Sequence, residues 1–317
     1  MTYAVGGLIQ ASDYNNLIGS SPSGTANKLN TVWAVGQGNA GYGQTALASV
    51  SVGATVQAAE WASLNNRIGN AASHQGSSIT SITGLVVGGL VKYTDAGPAF
   101  TNNLSTIYTN RLNASSVGST SVNIVTRPSG WSDSVTFDQT VTFTSGDAAR
   151  YFFNAGGQIG LSFSTPTGSA IDNIFNALAT ACGTIWLSAP NSGAVSIASV
   201  SYNGVTKSGG SGSVVTLATN LGYYGLTSSY QTIFKQLAGY GGYLGSYIEV
   251  QARTNGTQGS NGDNGSIVYL RTIWDEVPNG LSVSAGTTTT LTLRPPSTTH
   301  ISNTWGTPSL SGSQSGS

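Results

Sequence analysis

Apolar residues follow two different spacings along the chain, and the spacing changes between about residues 115 and 134. In the N-terminal part they recur three or four positions apart, as Leu104 and Ile107 do in a helix predicted from Thr101 to Leu112. In the second part they alternate with polar residues, as in Val135-Thr136-Phe137, which is the period of a half-buried strand. The first part is therefore predicted to be helical and the second to be rich in strands.

Alternating segments predict the strands of the second part. They are Val135–Phe137, Val141–Phe143, Ile159–Phe163, Thr184–Leu187, Val195–Tyr202, Val214–Ala218, Tyr247–Ala252, Ile267–Trp274 and Thr288–Leu293. Two stretches with helical spacing interrupt them. The first runs from a capping box at Ser169 and Asp172 to Gly183 and carries one apolar stripe. The second has Tyr230, Ile233, Phe234 and Leu237 on one stripe and is expected to stop at Gly239.

This order of elements predicts an α+β fold. A short-helix N-terminal region with an internal repeat precedes a β-rich antiparallel sheet or sandwich with two helices. We expect an N-terminal docking region over residues 1–115, a β-rich domain over 120–306 and a Ser/Gly-rich tail over 307–317. The tail is expected either to be loose or to form a strand that pairs only with a neighbouring subunit.

The internal repeat aligns residues 5–17 without gaps on residues 52–64. Each copy predicts an extended entry and a short helix, with an acid (Asp13, Glu60) in the first turn, where it complements the helix dipole. Ile-Gly pairs at 18–19 and 68–69 are predicted to end the two helices. Helices this short must bury their apolar faces against each other, a later segment or a neighbouring subunit.

Composition points to a surface that associates. Charged residues make up 7% of the chain, where a typical soluble domain has about 25%. The 11 basic and 11 acidic residues give zero net charge, so the surface has little self-repulsion. This favours a protein that packs against copies of itself, although a secreted β-rich domain can have a similar composition.

The same composition argues against several classes of protein. The basic residues are scattered singly and form no stripe for nucleic acid. The longest apolar run, Gly84 to Val91, is much shorter than the roughly 20 residues of a membrane span, and the N-terminus lacks a signal-peptide pattern. One cysteine, Cys182, allows no intrachain disulfide and no thiolate metal cluster. We expect no cofactor, no nucleic acid and no membrane insertion.

Candidate catalytic groups are sparse. The two histidines, His74 and His300, lie in polar segments and are expected to be exposed and uninvolved, while Cys182 on an apolar helix face is expected to be an inert core thiol. The closest acid pairs are Asp275-Glu276, which a strand would point to opposite faces, and Asp133/Asp138. The segment from Asn261 to Gly265 resembles a calcium loop superficially and is better explained as a hairpin turn. The chain is therefore expected not to be an enzyme, and a glycan hydrolase remains a third hypothesis.

Aromatic residues supply the candidate interface. The six tryptophans can serve as core or interface anchors, or include a platform on which sugars stack. The loop from Trp33 to Gln44, with close-set glycines, is either a docking loop or a folded connector. Trp305 lies in an otherwise polar segment and is expected to dock on a partner. The candidate interface residues are Trp33, Tyr42, Trp61, Tyr14 and Trp305.

Several segments together resemble a known class of proteins. They are residues 145–159 (SGDAARYFFNAGGQI), the Trp33–Gln44 loop, the repeated Gln-Ala-x-acid-aromatic helix and the ending Trp305-Gly306-Thr307-Pro308. These segments are similar to parts of virion structural proteins of contractile-tailed phages, notably those of cyanobacteria. Within residues 145–159, Asp147 and Arg150 could form a local pair, Gly156-Gly157 allows a tight turn, and the segment is expected to form a hairpin core.

The resemblance implies a structural protein of the phage tail region, such as a baseplate, fibre or neck component, located in the virion. Its partners would be copies of itself in a symmetric oligomer and other virion proteins. A trimer suits a fibre and a hexamer suits a ring, and the sequence does not choose between them. Two alternatives stay open: a head or collar decoration protein, and a module that recognises host-surface glycan.

Overall fold

Helices dominate the N-terminal part of the chain and strands the rest, as the change in apolar spacing predicts. The computed structural model describes residues 10–20, 25–83, 85, 93–114, 118, 120–190, 195–197, 200–202, 204–212, 214–239, 243–256, 265–278 and 280–316. The fold is α+β, with a β-rich, sandwich-like part.

The helices are α1 (Ala11–Ile18), α2 (Leu29–Trp33), α3 (Ala58–Gln75), α4 (Tyr93–Thr109), α5 (Gly146–Asn154) and α6 (Ala170–Cys182). The first strands are β1 (Ser121–Thr126), β2 (Ser134–Thr142), β3 (Gln158–Ser164), β4 (Thr184–Leu187), β5 (Val195–Ile197), β6 (Val200–Tyr202) and β7 (Val205–Ser208). The remaining strands are β8 (Val214–Leu217), β9 (Gln231–Leu237), β10 (Tyr247–Thr254), β11 (Ile267–Asp275), β12 (Thr288–Arg294) and β13 (Ser309–Gly316).

The two repeat helices start in the same way and touch through their aromatic rings. In α1 and α3 the acid of the first turn accepts a hydrogen bond from the backbone N–H of the glutamine that precedes the helix, at 2.9 Å for Asp13 and 2.6 Å for Glu60. The Tyr14 and Trp61 rings meet edge to face with their centroids 5.6 Å apart. Both helices also contact α2 and α4, so the apolar faces of the repeat are buried within one chain.

The two copies end differently. Helix α1 stops at Gly19 as predicted, but α3 continues through Ile68-Gly69 to Gln75, and Gly76 takes the left-handed conformation at φ 65°. The predicted stop at Gly69 is wrong because the buried stripe continues through Ala71 and Ala72. Burial of this additional face outweighs the cost of about 1 kcal/mol of a glycine inside a helix.

Amide side chains hold the extended segments that run beside the helices. The Asn15 amide donates to the Val50 carbonyl and accepts from the Val50 N–H, both at 2.8 Å. Asn103 makes the same pair of bonds with Thr80, at 2.8 and 2.9 Å. Each amide replaces the partner that a neighbouring strand would offer, which explains how an almost uncharged chain satisfies buried backbone groups.

The strands form two antiparallel sheets with a helix between them. The strand order is β1-β12-β3-β4-β7 in the first sheet and β13-β2-β11-β10-β9-β8 in the second, and β5 and β6 form a separate hairpin. Helix α6 contacts β3 of the first sheet and both β9 and β10 of the second. Its Phe175 ring lies 5.0 Å from Trp131 and 6.0 Å from Trp274, measured between centroids. The capping box at Ser169 and the stop at Gly183 are confirmed.

The helix predicted near Tyr230 is wrong, because this segment forms strand β9. The pairing with β10 shifts register after Val250, so that Ile233 has no opposite residue. This bulge turns both Ile233 and Phe234 inward, and both are buried. Two consecutive buried residues in a bulged strand imitate the spacing of a helical stripe.

The hairpin core expected at residues 145–159 is also wrong. Ser145 accepts a hydrogen bond from the Ala148 N–H at 3.0 Å and starts helix α5 instead. The predicted Asp147–Arg150 pair is confirmed at 3.1 Å. The Gly156-Gly157 turn into β3 is also confirmed, with Gly156 at φ 98°.

The Ser/Gly-rich end is a strand of the chain's own sheet. Residues 309–316 form β13, which pairs antiparallel with β2, so neither a loose tail nor pairing restricted to a neighbour describes it. Backbone hydrogen bonds carry this pairing, which explains why no apolar pattern signals it.

One cluster of buried apolar residues extends through both the N-terminal region and the β-rich part, and the domain boundaries stay a prediction. The predicted turn at Asn261 lies outside the described residues, although β10 and β11 pair as it requires.

Candidate functional site

Three segments that stand out in the sequence meet at one place in the fold, which we call the junction. They are the Trp33–Gln44 loop, helix α5 and the polar segment from Ile301 to Pro308. The junction joins the N-terminal helices to the two sheets.

Glycines shape the loop of the junction. Gly36, Gly38, Gly41 and Gly43 all have positive φ, between 54° and 96°. The loop returns along α2, so that the Tyr42 N–H donates to the Val32 carbonyl at 2.9 Å. Its remaining carbonyls need other donors, since a buried unpaired carbonyl costs free energy.

Arg150 supplies most of these donors. Its guanidinium donates to the carbonyls of Gly38 at 2.7 Å, Ala40 at 2.9 Å and Val35 at 2.6 Å. The side chain is 2% exposed, and its charge is balanced by Asp147, which is half exposed. A buried cation surrounded by backbone carbonyls fixes the conformation of the loop.

Asn154 and Tyr224 complete the set. The Asn154 amide donates to the Gly41 carbonyl at 3.0 Å. The Tyr224 hydroxyl lies 3.0 Å from the Gly38 carbonyl and 2.5 Å from Asn154 Oδ1. The sequence contains little signal for these two residues, because their role depends on contacts between distant parts of the chain.

The Ile301–Pro308 segment closes the junction from the other side. Gln44 and Ser302 exchange two hydrogen bonds of 2.9 Å, from the amide to the Ser302 carbonyl and from the Ser302 N–H to the amide oxygen. The Thr304 hydroxyl donates to the Tyr42 carbonyl at 2.7 Å. The loop is thus a folded connector, held on both sides by this chain.

The five candidate interface aromatics are buried within the chain. Their exposed fractions are between 0 and 7% for Tyr14, Trp33, Tyr42, Trp61 and Trp305. The prediction that Trp305 docks on a partner is wrong for this conformation, because packing in the same chain already covers its ring. All six tryptophans are at most 7% exposed, which confirms their interpretation as core anchors and leaves no tryptophan ring free for sugar stacking.

His74 lies at the core of the junction, not in an exposed loop as predicted. It sits near the end of α3, where the Tyr42 ring packs on it at 5.3 Å and its Nε2 lies 3.0 Å from the Ala155 carbonyl. Burial lowers the pKa of His74 to about 4; the Ala155 contact opposes this shift and His300 adds to it. Within the part of the chain that the structure describes, Nδ1 has no hydrogen-bond partner.

The stability of the protein should therefore fall as the pH falls from about 7 to about 4. In this window the unfolded chain, with the ordinary histidine pKa near 6.5, binds a proton that folded His74 does not. The expected loss approaches about 3 kcal/mol at pH 4. Urea unfolding of the wild type and of His74→Gln at several pH values measures it, and the variant should lose this part of the pH dependence.

The control is His300→Gln, which removes the only other histidine. This variant should keep the wild-type slope between pH 7 and 4, apart from a small change. Equal slopes for the wild type and His74→Gln would contradict a buried neutral His74.

The other candidate catalytic groups have structural partners. Cys182 is fully buried, and burial raises its pKa to about 12, which confirms an inert thiol. Glu276 is buried and accepts the backbone N–H groups of Gly280 and Leu281 at 3.2 and 3.1 Å, whereas Asp275 is half-buried at the end of β11. Asp138 pairs with Arg271 at 2.8 Å.

The outer faces of the two sheets differ in charge. On the second sheet, three basic and three acidic side chains lie among tyrosines, and together they form what we call the charged face: Lys235, Arg253, Arg271, Asp138, Glu249, Asp275, Tyr230, Tyr247 and Tyr269. Four of its six charged side chains form ion pairs, Lys235 with Glu249 and Arg271 with Asp138. Lys235 lies 3.2 Å from Glu249 and 3.4 Å from the Tyr247 ring centre, and Arg253 lies 3.7 Å from that of Tyr269.

The outer face of the first sheet is uncharged over β1, β3 and most of β12. It consists of β-branched and hydroxyl side chains, which we call the threonine face: Val122, Ile124, Thr126, Thr288, Thr290, Thr292, Ser162 and Ser164. Val122 and Ile124 are 54% and 63% exposed, although β-branched apolar residues favour burial. Arg294, at the end of β12, continues the outward row of Thr288, Thr290 and Thr292, and its guanidinium lies 3.6 Å over the Trp186 ring.

Comparisons with known proteins add no assignment. No family model matches the chain, and neither a curated protein nor a solved structure is similar to it at a significant level. In the described ranges, no helix is long and apolar enough to cross a membrane. Within the same ranges, no three His, Cys, Asp or Glu side chains are grouped closely enough to hold a metal. What the described arrangement offers is a rigid joint and two contrasting sheet faces.

Proposed function

We propose that this chain is a structural subunit of a tailed-phage particle that docks on neighbouring subunits through its threonine face. The subunit belongs to the tail region, its partners are copies of itself and other virion proteins, and its role is mechanical rather than catalytic. The resemblance of the junction segments to phage virion proteins supports the assignment of the chain to a phage particle. The exposed Val122 and Ile124 in an uncharged sheet face are the single structural observation that supports docking.

Docking through the threonine face avoids the main cost of association. Burying valine, isoleucine and threonine methyl groups removes apolar surface from water, and no charged side chain of these rows loses hydration. The charged face is a poor choice for the same contact, because its six charged side chains are partly exposed and would lose their remaining hydration. The contrast between the two faces gives the subunit a docking side and a solvent side.

The junction suits a part that transmits force. The buried hydrogen bonds of Arg150, Asn154 and Tyr224 hold the loop in one conformation, and the junction joins the helices to both sheets. A rigid joint keeps the threonine face in a fixed orientation relative to the N-terminal helices. Geometry of this kind is what a repeated subunit in a symmetric assembly needs.

Replacing Ile124 by lysine should weaken self-association at least about tenfold, because it removes a side chain worth about 1.5–3 kcal/mol on full burial and adds a charge. Sedimentation of the purified chain over a concentration series measures the effect. Val52→Lys is the matched control, since Val52 is 96% exposed and outside the threonine face. Equal weakening by both variants would contradict docking through this face.

The particle assignment has its own test. Purified virions should contain the chain in a fixed copy number, and cryo-electron microscopy of the particle should place it in the tail region with the threonine face covered. Absence of the chain from purified virions would contradict the assignment. Turnover of a substrate by the isolated monomer would contradict a purely mechanical role.

A further inference from the structure

The first sheet ends on one side in β1, a strand with an unpaired outer edge. Among the described strands, β1 pairs with β12 alone. The Arg127 N–H, directly after β1, donates to the Thr287 carbonyl at 2.8 Å, and the hydroxyls of Thr126 and Thr288 lie 3.0 Å apart. In an antiparallel pair, hydrogen-bonded and non-hydrogen-bonded positions alternate, and side chains are closer at the latter. The N–H and C=O groups of Thr126 therefore point away from β12, toward the free edge.

The same alternation places the backbone groups of Val122 and Ile124 on the free edge. The side chains of both residues are exposed and belong to the threonine face. Strand β13 of the second sheet covers only the inner side of β1, where its Gly312 lies against the side chains of Asn123 and Val125. The edge of β1 thus offers hydrogen-bonding backbone groups beside exposed β-branched side chains.

This edge lacks the features that keep exposed edges of natural sheets apart, which are lysines, prolines and bulges. The register with β12 runs without a shift over the whole of β1, and the strand contains neither a proline nor a charged residue. The strand at the other end of the same sheet, β7, does contain a lysine, Lys207. Strand β1 is therefore the end of the first sheet that can accept a further strand.

The residues of β1 fit a second copy of the same strand. Antiparallel pairing about a two-fold axis brings like residues close together, so a charge near the axis would meet its own copy. The sequence of β1 has no charge, and its outward side chains are all β-branched, which favours cross-strand packing. With Ile124 on the axis, Val122 of each copy lies opposite Thr126 of the other. The edge groups of all three residues are then paired.

We propose that β1 pairs antiparallel with β1 of a second copy, so that the first sheets of two subunits form one continuous sheet. This inference rests on the proposed function. It specifies the neighbour as a second copy and the contact as the edge of the sheet. The threonine faces of the two copies then lie side by side on one surface.

The first test removes a hydrogen bond at the edge without changing the pairing with β12. Val122→Pro lacks the outward N–H, and proline is tolerated on edge strands. Sedimentation over a concentration series should give a Kd of dimerisation at least about tenfold higher, because each dimer loses two hydrogen bonds. Val122→Thr keeps the N–H and the branched side chain. This matched control should change the Kd less than about threefold.

Thr290→Lys separates edge pairing from stacking of the faces. Thr290 lies opposite Ile124 on β12, within the threonine face and one strand away from the edge. Edge pairing leaves this position in water, so the lysine should change the Kd less than about threefold. A loss as large as that of Val122→Pro would show that neighbours stack face to face, which overturns edge pairing and leaves docking through the face intact. A chain that stays monomeric at every concentration would overturn both edge pairing and self-docking.

Amide hydrogen exchange of the wild type, followed by NMR, gives a measurement that does not depend on a variant. On association, the amides of Val122, Ile124 and Thr126 should exchange at least about tenfold more slowly. The amides of Asn123 and Val125 point toward β12 and should exchange slowly at all concentrations. Stacking of the faces would leave the three outward amides in water. Unchanged exchange of these amides in the associated protein would overturn the pairing.

Discussion

Arg150→Met is expected to lower the free energy of unfolding by about 3–5 kcal/mol, the range found when one partner of a buried charge network is removed. The change leaves the carbonyls of Val35 and Ala40 without the donors that Arg150 provides, and each such loss costs about 1–3 kcal/mol. Asp147 is half exposed, so it contributes little to the loss. Urea unfolding, followed by tryptophan fluorescence and circular dichroism, measures the change.

Two further variants separate the causes. Arg150→Lys keeps the charge but offers a single ammonium group in place of the planar guanidinium, so it should recover only part of the stability. Arg253→Met removes a guanidinium from the charged face and should cost less than about 1 kcal/mol, because Arg253 is partly exposed and its guanidinium stacks on the Tyr269 ring instead of binding buried carbonyls. A loss for Arg150→Met no larger than for Arg253→Met would show that the junction does not depend on its cation.

Gly41→Ala is expected to be the most disruptive single methyl addition in the loop, with a loss of about 3 kcal/mol or failure to fold. A Cβ at this position would lie 2.6 Å from the Ala34 carbonyl oxygen and closer still to that of Val35, which Arg150 binds. The backbone is also in the left-handed region, at φ 96°. Steric clash and backbone strain therefore act together.

Gly53→Ala isolates the strain from the clash. Gly53 has a similar φ of 87°, but no atom lies within 4 Å of the added Cβ. This control should lose only the cost of about 1–2 kcal/mol of a left-handed non-glycine residue. Thermal and urea unfolding of both variants gives the difference, and equal losses would show that the Gly41 loop can relax around a side chain.

Both predictions concern the junction because the proposed function depends on it. A subunit that docks through one sheet face must keep that face fixed relative to its N-terminal helices. If Arg150→Met or Gly41→Ala loosens the loop, self-association should weaken even though the threonine face is unchanged. The same sedimentation experiment that tests Ile124→Lys can measure this.

Local patterns predicted most elements of the fold. The alternating segments at Thr184–Leu187 and Ile267–Trp274 are strands β4 and β11, and the capping box at Ser169 starts α6. These signals are reliable because they depend on neighbours within a few residues. The acids in the first turns of α1 and α3 are local signals of the same kind, and both mark the start of a helix.

Elements with a non-local cause were missed. Strand β13 has no apolar pattern and exists because β2 offers it a hydrogen-bonded edge. Strand β9 carries a helical spacing because its bulge, set by pairing with β10, turns two consecutive residues inward. Helix α3 ends before Gly76 and not at Gly69 as predicted, because packing along the buried stripe outweighs the local signal of Gly69.

The sequence by itself determined the helical N-terminal part and the strand-rich remainder, the scarcity of charge and the apolar surroundings of Cys182, since each follows from composition or from spacing within one element. Only the tertiary structure decided which aromatics are buried, where the charges gather and which residues meet at the junction. Arg150 and the carbonyls that it binds are more than 100 positions apart, so no local pattern can pair them. The charge and the exposure of each sheet face likewise depend on which strands lie side by side, and these strands are distant in sequence.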